Sequence, residues 1–425
     1  MQKLLIIILF VLFGSYCHAQ VTEYARKVVD TLASDEFKGR GYVEDGDKLA
    51  AEFISEEFEK HGLESFSEDY FQAFHTPVNT FPDPVILKIN GKELEAGTEF
   101  LVDAGSPELK GSFDVVLVSV KDLLSDEHLI PKLQQAEGII IVIERFTKDE
   151  FTKEELERIN GVIGFLKYHE NNPAAATIVL SDEKLTWSSS TVEYPKPSFT
   201  IYADFLSETI KQVEVEIKNQ FHPNYQTQNV IGFREGDKSD STIVFIAHYD
   251  HLGMMGPDAI FTGANDNASG VAMLLSLARH YSNHKPQYTT AFIAFGAEEL
   301  GLIGSRHFTE NPVFDLSSIK FLINFDISGT GDDGIQVVNG SVYKNKFEML
   351  THINEEQQFL PQVKIRGKAC NSDHCMFDQK DVPNFYIYTL GGIQAYHDIN
   401  DRPETLPLTE FEDYFQLITE FIEKL

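Results

Sequence analysis

Residues 294–301 read AFGAEELG, an apolar run that gives out into two adjacent carboxylates, Glu298 and Glu299. Other apolar runs end at His248 and Asp250 in AHYDHLG and at Asp326 in NFDISG. Asp266 sits in GANDNASG ahead of a helical pattern, and His397 in AYHDIND after the last apolar run. Singly, each has an ordinary explanation. A histidine after a strand usually packs, Asp266 reads as a helix N-cap, Asp326 before Ser-Gly as a turn former, and paired glutamates as a helix start. Together they supply five oxygen or nitrogen ligands, no cysteine, and a spare carboxylate, which is what two hydrolytic metal ions sharing a bridge require. This mixture suits Zn²⁺, with Mn²⁺ or Co²⁺ able to substitute. The spare carboxylate would carry a proton from water to a leaving amine.

Groups so distant in sequence meet only where a fold gathers them. From about residue 228 the order is strand, loop, helix: STIVFIAHYD, NASGVAMLLSLARHYSNH, YTTAFIAFGAEE, IKFLINFDISG, FYIYTLGG and a final helix around 408–425. Buried strands alternating with amphipathic helices predict an α/β sheet covered on both faces, whose strand ends converge on one crevice. Residues 22–72 carry helical spacing, clearest in DGDKLAAEFISEEFEKHGLE, and predict two helices joined by a turn. From about 76 to 222 short β-rich runs such as FDVVLVSV and GIIIVIE surround one helical stretch, KEELERINGVIGFLKYHE, as a smaller α/β insert with its own core would.

These motifs resemble those of the M28 metallopeptidases, zinc aminopeptidases similar to this chain in AHYDHLG, GANDNASG, AFGAEELGLIGSRHF, NFDISG, SDHCMF and YHDINDRPETL. The resemblance implies the zinc-exopeptidase fold, with a mixed, mostly parallel central sheet, and a peptide substrate with a free amino terminus. It implies two Zn²⁺ ions, one held by His248 and Asp326, the other by Glu299 and His397, with Asp266 and a water bridging them. Glu298 becomes the general base and acid. Asp250 matches an aspartate that accepts a hydrogen bond from the ligand histidine, Tyr396 a donor to the oxyanion, and Asp266–Asn267 a cis peptide. His251, which follows the H-x-D element, and His307 and His374, in helical contexts without a ligand role in the family, are expected to be structural. The insert is similar to a protease-associated domain, which divides the chain at 20–75, 76–222 and 223–425. A carboxypeptidase or dipeptidase relative would need a basic pocket, for which Arg306, Arg366 and Arg402 are candidates. A glutaminyl cyclase would work with one zinc, and a receptor-like binding module would have lost ligands that stand here.

The opening MQKLLIIILFVLFGSYCHAQ reads as a signal peptide over residues 1–19 cleaved after Ala19, so the protein is expected outside the cytoplasm, periplasmic or extracellular. Lipid anchoring through Cys17 is disfavoured by the bulky Tyr16 before it. No later apolar run reaches the ~20 residues of a membrane helix. A formal charge of −31 excludes the basic patches that nucleic acid and anionic membranes reward. Cys370 and Cys375 in CNSDHC are too few for a thiolate zinc site, and their spacing leaves a disulfide open.

Overall fold

The computed structural model describes residues 20–425. The signal peptide expected over 1–19, with Cys17, lies outside the described residues. The centre is set by the longest apolar runs, which form four parallel strands lying in the order Tyr288–Phe295, Lys238–His248, Ile319–Phe325, Asn384–Thr389. Alternate residues along them serve two cores. Ile243, Phe245 and Ala247 face the helices 20–32, Gly46–Lys60, Ser269–Asn283, Lys344–Gln357 and Phe411–Glu423. Val244 and Ile246 face Phe308 and Phe377, carried by the helices Ile303–Glu310 and His374–Asp378. The parallel centre therefore has helices on both faces, as the unbroken apolar runs require.

Four further strands widen this sheet to eight. Gln220–Arg234 and Phe71–Thr80 add to one side, and Ile335–Val338 and Val363–Ile365 to the other. Four of the seven pairings are parallel. The pairing of Phe71–Thr80 with Gln220–Arg234 runs as far as Thr80 opposite Gln220, so the chain leaves and re-enters the sheet at neighbouring points. Between those points a second eight-stranded sheet draws its strands from Ile86 to Ile217, with Lys153–Tyr168 as the long helix beside it. Its core includes Leu87, Phe100, Ile140 and Phe199, and continues into Leu252, Met255 and Phe261, which belong to the segment after His248 that pairs Gly253–Met255 with Ala259–Phe261.

The amino-terminal segment holds the two expected helices, 20–32 and Gly46–Lys60. Their connection is more than a turn, because Lys38, Gly39, Arg40, Glu44 and Asp45 all take positive φ and fold the chain sharply inward. Cys370 and Cys375 are joined in a disulfide. No helix among the described residues is long and apolar enough to cross a membrane.

Candidate metal centre

The four parallel strands deliver the acidic and basic groups to one end of the sheet. His248 is the last residue of its strand and Asp326 follows directly on Phe325. After Phe295 the chain turns through Ala297 at φ 57°, so Glu298 and Glu299 leave the strand axis. Asp266 comes from the kinked segment Ala264–Ala268 ahead of helix Ser269–Asn283, and its peptide bond to Asn267 is cis, as the resemblance implied. Gly263 makes this kink possible. Its φ is 57°, and a Cβ there would stand 2.1 Å from the Asp266 carbonyl and 2.4 Å from the His251 ring. The Asn267 amide then ties two strand ends together, donating to the carbonyls of His248 at 3.3 Å and Phe325 at 3.0 Å.

Asp266 is the hub. One carboxylate oxygen lies 3.4 Å from His248 Nε2, and the other lies 3.1 Å from His397 Nε2. Each imidazole also faces a second carboxylate: His248 Nε2 is 3.6 Å from Asp326, and His397 Nε2 is 3.3 Å from Glu299. Direct charge-assisted hydrogen bonds are shorter, about 2.7–2.9 Å. Atoms that share a tetrahedral zinc at about 2.0–2.2 Å stand roughly 3.3–3.6 Å from one another, so these spacings and this cysteine-free donor set fit zinc. Ligand atoms of His248, Glu298 and Asp326, and those of His251, Asp266 and Glu299, gather within 4.8 Å as two groups. Within the second group His251 Nδ1 stands 2.9 Å from Glu299 Oε1, a hydrogen bond to a ligand candidate, whereas His397 reaches both Asp266 and Glu299.

The electrostatics follow from burial and crowding. Burial drives the Glu298 carboxyl well above the usual range, and Asp373, Glu299 and Asp326 add to the effect against His248. Its neighbour goes the other way. Although burial and Asp266 oppose ionisation, the facing imidazoles of His251 and His397 hold Glu299 at about 2. Burial disfavours a charged His397, yet Asp266 and Glu299 carry it to about 11. His248 is likewise raised, by Glu298, Asp266 and Asp326, in spite of its burial. Two adjacent glutamates thus differ sharply in proton affinity.

Asp250 corrects one expectation. Its carboxylate accepts the backbone N–H groups of Glu298 at 3.0 Å and Glu299 at 3.2 Å, and the Tyr42 hydroxyl at 3.3 Å. His248 Nδ1 stands 3.8 Å from that carboxylate but 3.2 Å from the Asp250 carbonyl oxygen, which is the nearer acceptor. The aspartate orients the two glutamates, and its main chain orients the histidine. Tyr396 is 47% exposed with its ring stacked on His397 at 4.0 Å. His374 points its Nε2 at the Ala369 carbonyl, and His307 stacks on Phe74. His251, read from sequence as structural, bonds instead to Glu299.

Several residues at the centre carried no sequence signal of their own. Arg40 is fully buried and donates to the carbonyls of Leu32, Tyr249, Thr262, Gly263 and Asp266. Burial lowers its pKa to about 10, with Asp401 and Asp266 opposing. Asp401 accepts the N–H groups of Asn265 at 2.8 Å and Asp266 at 2.9 Å, and burial raises it to about 6. Asp373, in SDHCMF, is buried with both carboxylate oxygens lacking a hydrogen-bond partner, and burial raises it to about 7. Of the candidate arginines, Arg306 and Arg366 are exposed and bond to Gly301 and Tyr388, while Arg402 donates to Ile399.

Comparison with known proteins agrees with this architecture. Aminopeptidase YwaD of Bacillus subtilis is 34% identical over 123 residues, 28% of this chain, and the chain spans 26% of that relative's length. A zinc aminopeptidase structure from Bacillus subtilis superposes with a TM-score of 0.66 at 19% identity, over 95% of this chain and 94% of its own. A peptidase M28 precursor from Shewanella amazonensis SB2B gives 0.70 at 17%, over 96% of each. At these identities the structural likeness is one of fold. The profile of peptidase family M28 matches residues 229–422, a stretch that contains His248, Asp266, Glu298, Glu299, Asp326 and His397. Over that stretch the chain is similar to peptidase family M28.

Proposed function

We propose that this protein is an exported dinuclear zinc aminopeptidase that removes residues from the free amino terminus of peptides. The observation that carries the reading is Asp266, whose two oxygens face the imidazole nitrogens of two different histidines, each paired with a further carboxylate. His248 and Asp326 would hold one zinc, Glu299 and His397 the other, and Asp266 would bridge them. Bound there, zinc would supply Lewis acidity that polarises a scissile carbonyl and makes a water acidic.

The chain's own residues do the rest. Glu298, its proton affinity raised by burial, takes a proton from the attacking water and returns it to the amine that leaves. Asp250 fixes where Glu298 and Glu299 point by holding both of their N–H groups. Tyr396, exposed beside His397, is the candidate donor to the oxyanion. The Cys370–Cys375 disulfide supports an oxidising compartment, in keeping with the leader-like residues 1–19. We read residues 20–75 and 223–425 as the peptidase domain and 76–222 as a protease-associated-like insert.

The test is a set of peptides with free or blocked ends, incubated with zinc-loaded protein and read by mass spectrometry. Loss of single residues from free amino ends alone is expected. Loss from carboxyl ends, loss of ammonia or water without cleavage, or no reaction would overturn the reading. Glu298→Gln should retain zinc and fold while turnover falls by about 10²–10⁴. Full turnover in that variant would remove Glu298 from its role.

A further inference from the structure

His397 is held from outside the matched peptidase segment. Trp187, 210 residues away and in the region of the second sheet, exchanges two hydrogen bonds with it. The Trp187 main-chain N–H donates to the His397 carbonyl at 2.8 Å, and the Trp187 main-chain carbonyl faces His397 Nδ1 at 3.2 Å, so the Trp187 side chain acts by anchoring the segment that presents them. A carbonyl only accepts, so Nδ1 carries the hydrogen and neutral His397 keeps its lone pair on Nε2, the atom turned toward Asp266 and Glu299. His248 is oriented within its own turn, by Asp250. The two histidines therefore differ in what aims them.

Trp187 is itself fixed. Its indole Nε1 donates to the Val102 carbonyl at 2.7 Å, and its ring lies 4.7 Å from Phe261. Lys184, three residues earlier, donates to the carbonyls of Gln394 at 2.5 Å and Tyr396 at 3.1 Å and forms an ion pair with Asp398. The loop is thus gripped on both sides of His397, whose backbone sits at φ 52°, a conformation uncommon for a residue other than glycine. Such a conformation persists where its surroundings over-determine it.

We infer that Trp187 and Lys184 are positioning residues of the metal centre: through them the insert fixes the ring orientation and tautomer of His397, and with it the affinity of the zinc that His397 shares with Glu299. This rests on the reading of His397 as a ligand. Loss of a group that orients a ligand histidine typically changes metal affinity by about 10–100-fold; substituting Trp187 keeps its carbonyl but releases the segment that aims it, and that range is the ceiling of the effect.

The experiment is calorimetric titration of demetallated full-length protein with zinc chloride, for wild type, His397→Ala, Trp187→Ala, Trp187→Phe and Lys184→Met. Wild type should take two ions and His397→Ala should lose the affinity of one step. Trp187→Ala should weaken that same step by up to about 10–100-fold and leave the other unchanged. Trp187→Phe, which keeps the ring packing, should recover most of the loss, and Lys184→Met should weaken the same step. Unchanged affinities in both Trp187→Ala and Lys184→Met would overturn the inference while leaving the dinuclear reading intact. A wild type that binds no zinc, or a His397→Ala protein that binds like it, would overturn both. If Trp187→Ala does not fold, Lys184→Met, whose lysine is 43% exposed, decides the matter.

Discussion

The two adjacent glutamates show how far a single residue's environment sets its chemistry. Both are held by the same aspartate, yet Glu299 faces two histidines and Glu298 is crowded by other carboxylates. His248, Glu299 and Asp326 were readable as candidates because each stands where an apolar run stops, whereas Asp266 and His397, in loops, drew notice only as members of the set and through the resemblance. Arg40 was not legible. It acts by donating to five main-chain carbonyls, and carbonyls are the same in every sequence. Asp401 was quoted within YHDINDRPETL, but its use, accepting two backbone N–H groups of the Asp266 loop, is likewise invisible in side-chain types. Arg40→Leu should cost at least about 3 kcal/mol in urea unfolding, because buried carbonyls are left without a donor. A variant within 0.5 kcal/mol of wild type, roughly the range of an ordinary surface substitution, would contradict that burial-based account.

At the scale of elements, the parallel strands and helix Ser269–Asn283 could be read because burial on both faces leaves an unmistakable apolar texture. Strands Phe71–Thr80 and Gln220–Arg234 were harder. Their sequences, FQAFHTPVNT and QFHPNYQTQNVIGFR, mix polar residues and a proline each, and the pairing shifts register around Pro77. One element contact gives a pH signature. Asp47, in the first turn of helix Gly46–Lys60, is buried and accepts the hydroxyls of Tyr225 and Thr227, each at 2.8 Å, and burial raises its pKa to about 6. Between its unfolded value near 3.8 and about 6 the folded state holds the extra proton, so Asp47's contribution is fully present below that window and is lost as pH rises through it. The loss is about 3 kcal/mol. Asp47→Asn should therefore gain on wild type in denaturant midpoint between pH 4 and 6.5, and a constant difference across that range would show that Asp47 does not titrate there.

For the whole molecule, the change of texture near residue 76 announced a second core, but nothing in the sequence announced that this core would be continuous with the loops beside the metal centre. Phe81, Leu252, Met255 and Phe261 pack into the insert's core, and fully burying each such side chain is worth about 1.5–3 kcal/mol. Replacing residues 86–217 by a short linker, which the nearby Thr80 and Gln220 permit, should lower the thermal midpoint sharply or abolish soluble expression. A soluble product with the wild-type midpoint would show the insert to be a detachable module. The Trp187–His397 pair adds a consequence in time, because its two halves are 210 residues apart. A ribosome finishes Trp187 long before His397 exists, and contacts of such separation close late in folding. As the aminopeptidase proposed above, the nascent chain would be a latent hydrolase, inert until nearly all of it has been made and docked.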